Sequence, residues 1–145
     1  MQYISIIFCT LFIIFNLNLI KELKCGEVIL KIKNYNSRHG FIHIAVYNNK
    51  NNFPNDDGKY LGFKEKASNI IDKGFIIHNL VEGNYAIAVY HDENENGKFD
   101  TFFGIPKEQY GFSMNTKVFL SAPSFEDSSF GIKAKEKKEI EIELK

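Results

Sequence analysis

Short runs of strand-forming residues constrain the fold of this chain more than any other feature. Successive residues of a β-strand point to opposite faces, so alternation of polar and apolar residues marks a strand with one buried face. The strongest run is 85–90, Tyr-Ala-Ile-Ala-Val-Tyr, and the cleanest alternation is at 139–144, where Glu alternates with Ile or Leu. Comparable runs lie at 28–33, 41–47, 75–80 and 125–133, and the ambiguous segment 61–71 also fits a short strand. No segment has a convincing helical period.

Turn-forming residues separate these runs at regular intervals. Examples are Gly40, Asp57-Gly58 and Glu82-Gly83-Asn84. Several short strands spaced in this way are typical of an all-β protein, and we expect a single antiparallel β-sandwich of about seven strands. The runs at 75–80 and 84–90 lie close enough in sequence to predict a hairpin.

The N-terminal segment differs in composition from the rest of the chain. Residues 3–20 are almost wholly apolar, and charged residues end the run. Such a segment is typical of a secretory signal peptide, and Asn residues in its second half argue against a membrane span. We therefore divide the chain into a signal peptide at 1–25 and a β-sandwich domain at 26–145, with an uncleaved N-terminal anchor as the alternative. The domain then belongs to a secreted, periplasmic or cell-surface protein without a membrane span of its own.

Composition excludes some classes of function. The chain has 18 basic and 18 acidic side chains, so its formal net charge is zero. Nucleic-acid-binding domains generally carry a basic patch, so we expect no nucleic-acid partner, and the charge balance gives no electrostatic case for an anionic membrane surface either. The sequence also lacks a Gly-x-Ser-x-Gly nucleophile elbow and a phosphate-binding loop.

The most informative motif is an acidic segment that directly follows the strongest strand. Its spacing is D-x-N-x-N-G-x-x-D, formed by Asp92, Asn94, Asn96, Gly97 and Asp100. Oxygen side chains at alternate positions converge when such a loop curls, and the glycine allows the sharp turn. Ca²⁺ binds about six to eight oxygen ligands. The motif therefore predicts a Ca²⁺ site, with the carbonyl of Lys98 as a further ligand and the carboxylate of Glu108 as another if 101–110 folds back over the loop.

The loop differs from an EF-hand. Phe103 stands at the twelfth position, where an EF-hand has a bidentate Glu, and a strand rather than a helix precedes the loop. With Asp92 and Asp100 as its two certain carboxylates, we expect a weak site with a dissociation constant of roughly 10⁻⁴ to 10⁻³ M. The alternative is a metal-free turn, because Asx and Gly residues also build tight turns.

Three segments carry a resemblance to a known family. From Gly83 the sequence reads GNYAIAVYHDENENGKFDT, then GIPKEQYGFS at 104–113 and PSFEDSSF at 123–130. This combination closely resembles a family of exported bacterial proteins, domain of unknown function 2141, although Ser128 or Ser129 stands where the family usually has Ala. The resemblance implies export, a β-sandwich of immunoglobulin- or transthyretin-like type, and an acidic loop that is the hallmark of the family. It assigns no activity.

These observations favour a non-catalytic module with a calcium-stabilised loop, acting in binding or structure at the cell envelope or outside the cell. One alternative is a small metal-dependent enzyme, a hydrolase or an oxygenase, using a cluster of His91, Asp92, Asp100 and Glu108. Another is a carbohydrate- or protein-binding surface domain whose ligand contacts Tyr110 and Phe112. The same two aromatic residues also fit a long connection that is pinned to the core.

Overall fold

The computed structural model describes residues 24–119 and 121–145, so the predicted signal peptide lies almost wholly outside the described residues. The described chain is mostly β-strand, which confirms the prediction of a β-rich fold. Its strands are β1 (Cys25–Lys33), β2 (Phe41–Tyr47), β3 (Leu61–Lys66), β4 (Phe75–Val81), β5 (Gly83–Asp92), β6 (Thr101–Phe102), β7 (Ile105–Pro106), β8 (Tyr110–Phe112), β9 (Ser129–Ile132) and β10 (Lys137–Glu143). Two one-turn helices, α1 (Ala67–Ile70) and α2 (Phe125–Ser128), and the 3-10 turns Asp56–Gly58 and Ser113–Asn115 complete it.

The strands form two larger sheets and one small hairpin. The five-stranded sheet has the order β3-β2-β5-β8, and β9 also pairs with β5. The three-stranded sheet has the order β10-β1-β4, and β6 pairs with β7. The prediction of about seven strands was too low because it left out the short strands β6, β7 and β8 within 101–112.

Among the described strands, one pairing departs from the predicted antiparallel arrangement. β1 and β10 run parallel, with Leu30 opposite Ile140 and Ile32 opposite Ile142. Parallel neighbours need a long connection, and here most of the chain lies between them. Alternation identifies both strands, but it carries no information about which strand each one meets.

The predicted hairpin between 75–80 and 84–90 is wrong. β4 pairs with β1 in one sheet, whereas β5 pairs with β2 in the other. Glu82 alone separates β4 from β5, and one residue is too short for the two-residue turn of a tight hairpin. The chain instead passes from one sheet to the other here, where the Tyr85 hydroxyl donates to the Val81 carbonyl at 2.8 Å.

The predicted strand at 125–133 begins later than expected. Its first residues form α2, because the Ser124 hydroxyl accepts a hydrogen bond from the Asp127 N–H at 3.1 Å and caps the turn. The strand that follows, β9, contains only Ser129–Ile132.

A single core joins the two larger sheets. Alternate residues of the strands are buried in it, including Val28, Leu30, Ile42, Ile44, Ile77, Ile87, Val89, Ile140 and Ile142. Burial of apolar surface is the main stabilising contribution to such a fold. β5 lies between β2 on one side and β8 and β9 on the other, so its last residues leave the sheet from a rigid position. Among the described residues, no helix is long and apolar enough to cross a membrane.

Candidate functional site

The acidic loop begins at the carboxyl end of β5 and returns to the sheet through the β6–β7 hairpin and β8. Asp92 is the last residue of β5 and is fully buried, opposite Phe41 of β2. Gly40 lies against it with a φ of +76°, and a Cβ at Gly40 would come within 2.2 Å of the Asp92 carbonyl oxygen. The loop is therefore held where β2 and β5 meet, and glycine is required there.

The carboxylate of Asp92 closes the loop from inside. Its Oδ1 accepts a hydrogen bond from the Asn96 N–H at 3.0 Å, and its Oδ2 accepts one from the Gly97 N–H at 2.9 Å. The Nε2 of His43 lies 3.2 Å from the same Oδ2. Burial alone would raise the pKa of Asp92, but these hydrogen bonds outweigh it and lower the pKa. Asp92 is therefore an ionised anchor for the turn at Gly97.

His43 is a site residue that the sequence analysis missed. It lies in β2 two residues from Phe41, so it shares a face of the sheet with Asp92. Burial lowers its pKa although the bond to Asp92 acts in the opposite direction, which favours the neutral ring as donor to that carboxylate. Only the register of β2 against β5 reveals this contact, because the two residues are far apart in sequence.

The side chains of three other predicted Ca²⁺ ligands meet at one point, apart from Asp92. The side-chain amides of Asn94 and Asn96 each donate to the Oδ2 of Asp100, both at 2.7 Å. Their oxygens accept from loop N–H groups, the Asn94 Oδ1 from Asn96 at 3.1 Å and the Asn96 Oδ1 from Lys98 at 2.8 Å. The loop thus brings Asn94, Asn96 and Asp100 together, while Lys98 is exposed.

Glu108 lies against this loop because 101–110 folds back, which is the condition on which the sequence makes it a candidate ligand. Its Oε2 accepts a hydrogen bond from the Asp100 N–H at 3.1 Å. Its Oε1 is buried and has no hydrogen-bond partner among the described residues. Burial raises the pKa of Glu108, and the negative charges of Asp92 and Asp100 raise it further. A buried carboxylate oxygen without a donor is costly, and a cation is one way to satisfy it.

His91 occupies a different position from the acidic side chains. It is fully buried, and its Nε2 lies 2.7 Å from the His39 carbonyl oxygen, which fixes a proton on Nε2. Its Nδ1 has no hydrogen-bond partner among the described residues, and the nearest carboxylate oxygen is the Glu93 Oε1 at 3.7 Å. His91 thus joins the acidic loop to residues 39–40, which directly precede β2. Its ring is not exposed, so a substrate cannot contact it.

The donor set fits a hard cation only after a local rearrangement. In the described ranges, no three His, Cys, Asp or Glu side chains are already grouped to hold a metal. The point where Asn94, Asn96 and Asp100 meet is closed by amide N–H donors, which a cation would have to replace with amide oxygens. A cation there would require the two exposed Asn side chains to rotate and give up the N–H bonds that their oxygens now accept, and Glu108 lies alongside.

The aromatic residues Tyr110 and Phe112 lie in β8, beside this loop. Phe112 is only 8% exposed and packs against Phe53 with ring centroids 5.8 Å apart. Tyr110 is half-buried, and Phe99 links it to Tyr90 with centroid distances of 5.8 Å and 5.4 Å. Burial, with nearby carboxylates, raises the pKa of Tyr90 to about 12. The surface available to a ligand here therefore belongs to Tyr110 and its neighbours more than to Phe112.

Comparison with known proteins gives a family but no activity. No curated protein and no solved structure matches the chain. A family described as uncharacterized protein conserved in bacteria (DUF2141) matches residues 30–141, from the middle of β1 into β10, and so includes the whole acidic loop and Glu108. The chain therefore belongs to the DUF2141 family of uncharacterized bacterial proteins.

Proposed function

We propose that this protein is an exported, non-catalytic β-sandwich module of immunoglobulin- or transthyretin-like type, whose acidic loop is stabilised by Ca²⁺. Its role is in binding or structure at the cell envelope or outside the cell. The apolar segment at 3–20 supports export, and one core shared by two sheets supports a sandwich. The observation that carries the calcium site is the buried Glu108 Oε1, which lies near Asp92 and Asp100 and receives no hydrogen bond from the part of the chain that the structure describes.

The proposed ligands are the oxygens of Asp92, Asn94, Asn96, the Lys98 carbonyl, Asp100 and Glu108. Oxygen ligands of mixed charge suit a hard cation such as Ca²⁺ better than a soft metal. A bound cation would neutralise the crowded carboxylates and fix the strand β8 and the hairpin β6–β7 against the end of β5. The ion would thus hold these segments in one arrangement at this end of the domain.

Burial of His91 and Asp92 favours this proposal over the metal-dependent enzyme. Both side chains are fully buried, so a substrate could not reach either without opening the sheet. The carboxylate of Asp92 is also engaged by two backbone N–H groups that hold the loop. These contacts support a structural role for the cluster.

Replacement of Glu108 by glutamine should have opposite effects on stability in the absence and in the presence of calcium. Without Ca²⁺, Glu108→Gln should melt at or above the wild-type temperature, because it removes a buried negative charge and keeps an acceptor for the Asp100 N–H. With about 10 mM Ca²⁺, the wild type should gain about 1.4 to 2.7 kcal/mol for a dissociation constant of roughly 10⁻³ to 10⁻⁴ M. The variant should gain much less, and melting curves in calcium, magnesium and chelator measure this.

The control for this experiment is Glu95→Gln. Glu95 is exposed on the same loop and is not a proposed ligand, so its replacement changes the loop charge without removing a ligand. Its calcium response should match that of the wild type. Equal calcium responses in the Glu108 variant and the wild type would contradict the assignment of Glu108.

The raised pKa of Glu108 also predicts a pH dependence of the calcium-free protein. The folded pKa lies above the ordinary value of 4.5, so Glu108 contributes most stability below pH 4.5. That contribution is lost as the pH rises through the folded pKa, because the native state must then give up a proton that it binds more strongly than the unfolded chain. Melting temperatures of Glu108→Gln measured against pH should lack this decline. A wild-type profile identical to that of the variant would contradict the shift.

The aromatic cluster supports the surface-binding domain as a second candidate. Tyr110, Phe99 and Tyr90 form a continuous group beside the loop, and aromatic rings of this kind stack on sugars and peptides. Glycan-array binding that is lost in Tyr110→Ala, with the melting temperature unchanged, would favour this candidate. Binding that persists in the variant would remove Tyr110 from the contact surface.

A further inference from the structure

The β6–β7 hairpin ends in an apolar tip that no other part of the described chain covers. Its three large apolar side chains, Phe102, Phe103 and Ile105, are 59%, 90% and 68% exposed. Phe102 and Ile105 pair across the hairpin and share one face, while Phe103 lies in the turn. The tip therefore projects apolar surface in several directions.

The turn itself carries an unusual residue. Phe103 has a φ of +50° and Gly104 has a φ of +78°, which is the pattern of a two-residue type I′ turn. Asn, Asp or Gly usually occupies the first of these positions, because a bulky side chain is disfavoured at positive φ. The Phe103 ring packs edge-to-face on the Phe102 ring, with centroids 4.6 Å apart, yet the residue stays 90% exposed. Strain of this kind is characteristic of functional sites.

Two exposed cationic residues flank the hairpin in sequence. Lys98 precedes it and Lys107 follows it, and the Lys107 Nζ lies 5.5 Å from the centre of the Phe102 ring. Two carboxylates near the hairpin are engaged in hydrogen bonds, Asp100 accepting from two Asn amides and Glu108 from a backbone N–H. A surface that presents phosphate groups around an apolar interior complements this arrangement.

We propose that this hairpin inserts into the interface of a lipid bilayer that contains anionic phospholipid. The three side chains expose roughly 400 Å² in all, since aromatic side chains each present about 150–250 Å². A stable protein interface needs about 800 Å² from each partner, so the tip alone is too small for one. A bilayer surrounds an inserted tip on all sides, which matches the exposure of its side chains, and phosphate groups then face Lys98 and Lys107.

This inference is independent of the calcium proposal. Phe102, Phe103, Ile105 and Lys107 are not proposed ligands, and only the backbone carbonyl of Lys98 is. The hairpin can therefore insert whether or not the loop binds an ion. Running the test in both calcium and chelator separates a failure of one proposal from a failure of the other.

Because the chain contains no Trp, a single Trp can report on the tip. In the full chain, Phe103→Trp places the fluorophore at the end of the hairpin, on vesicles of phosphatidylcholine with phosphatidylglycerol. Its emission should move to shorter wavelength, and brominated lipid should quench it. Adding Ile105→Asp to this variant should abolish both effects, because a carboxylate is expelled from the apolar layer. Vesicles of phosphatidylcholine alone should bind the hairpin more weakly.

The matched control is Phe119→Trp. Phe119 is 83% exposed but lies beyond the far end of β8, so a Trp there should show neither effect. Membrane binding through residues 3–20 would not shift the emission of Trp at 103 alone. The comparison of the two positions therefore separates it from insertion of the hairpin. Equal responses at both positions, or no response at 103, would overturn the proposal. A Trp at 103 that is already buried without vesicles would indicate a second copy or residues 3–20 as the occupant, and would overturn it too.

Discussion

Gly40→Ala should lower the free energy of unfolding by about 4 kcal/mol. A Cβ at this position would lie 2.2 Å from the Asp92 carbonyl oxygen and 2.8 Å from the Glu93 Cα, and both are backbone atoms. Neither atom can move without separating β2 from β5 at the start of the acidic loop. The positive φ of Gly40 adds a conformational cost. Urea unfolding with an unchanged m-value measures the loss.

Gly97→Ala is the matched control for this prediction. Gly97 has nearly the same φ, +75° against +76° for Gly40, but no atom lies within 4 Å of a Cβ built there. Its replacement therefore adds only the conformational cost of about 1 kcal/mol. Similar losses in the two variants would show that crowding against Asp92 does not explain the need for glycine at position 40.

Asp92→Ala should destabilise the calcium-free protein by about 3 kcal/mol. The fully buried carboxylate accepts from the N–H groups of Asn96 and Gly97 and lies beside His43. Removing it leaves these part-buried donors without their acceptor, and the turn at Gly97 loses its anchor. Denaturant unfolding in chelator measures this effect apart from any contribution of calcium.

Asp100→Ala separates the structural role of a loop carboxylate from its role as a ligand. Asp100 is partly exposed, and it accepts only from the exposed amides of Asn94 and Asn96, which water can satisfy instead. The calcium-free variant should lose less than about 1 kcal/mol. Its calcium response should nevertheless disappear, as that of Asp92→Ala should. An Asp100 variant that keeps its calcium response would remove this carboxylate from the proposed site.

The sequence predicted those parts of the structure that short-range patterns determine. Alternation located β1, β2, β4, β5 and β10, and the spacing of Asx residues before Gly97 identified a loop whose members do contact one another. The segment 101–110 does fold back onto the loop, which was the condition for Glu108 as a ligand, and it brings Glu108 beside Asp100. Each of these inferences depends on residues that are close in sequence.

The remainder depends on pairings between distant segments. The parallel pairing of β1 with β10, and the passage of the chain between sheets at Glu82, are decided by which buried faces fit together. The contacts of His43 and Gly40 with Asp92 follow from the register of β2 against β5, which no local motif specifies. The exposed hairpin tip was also missed, because exposure of Phe103 is a property of the fold.

A calorimetric titration of the protein with Ca²⁺ tests the central claim most directly. We predict one site with a dissociation constant of roughly 10⁻⁴ to 10⁻³ M, no comparable heat with Mg²⁺, and loss of the site in Asp100→Ala. Absence of Ca²⁺ binding in the wild type, or binding that persists unchanged in Asp100→Ala, would contradict the claim. The loop would then be a turn held by hydrogen bonds that its backbone N–H groups donate to Asp92.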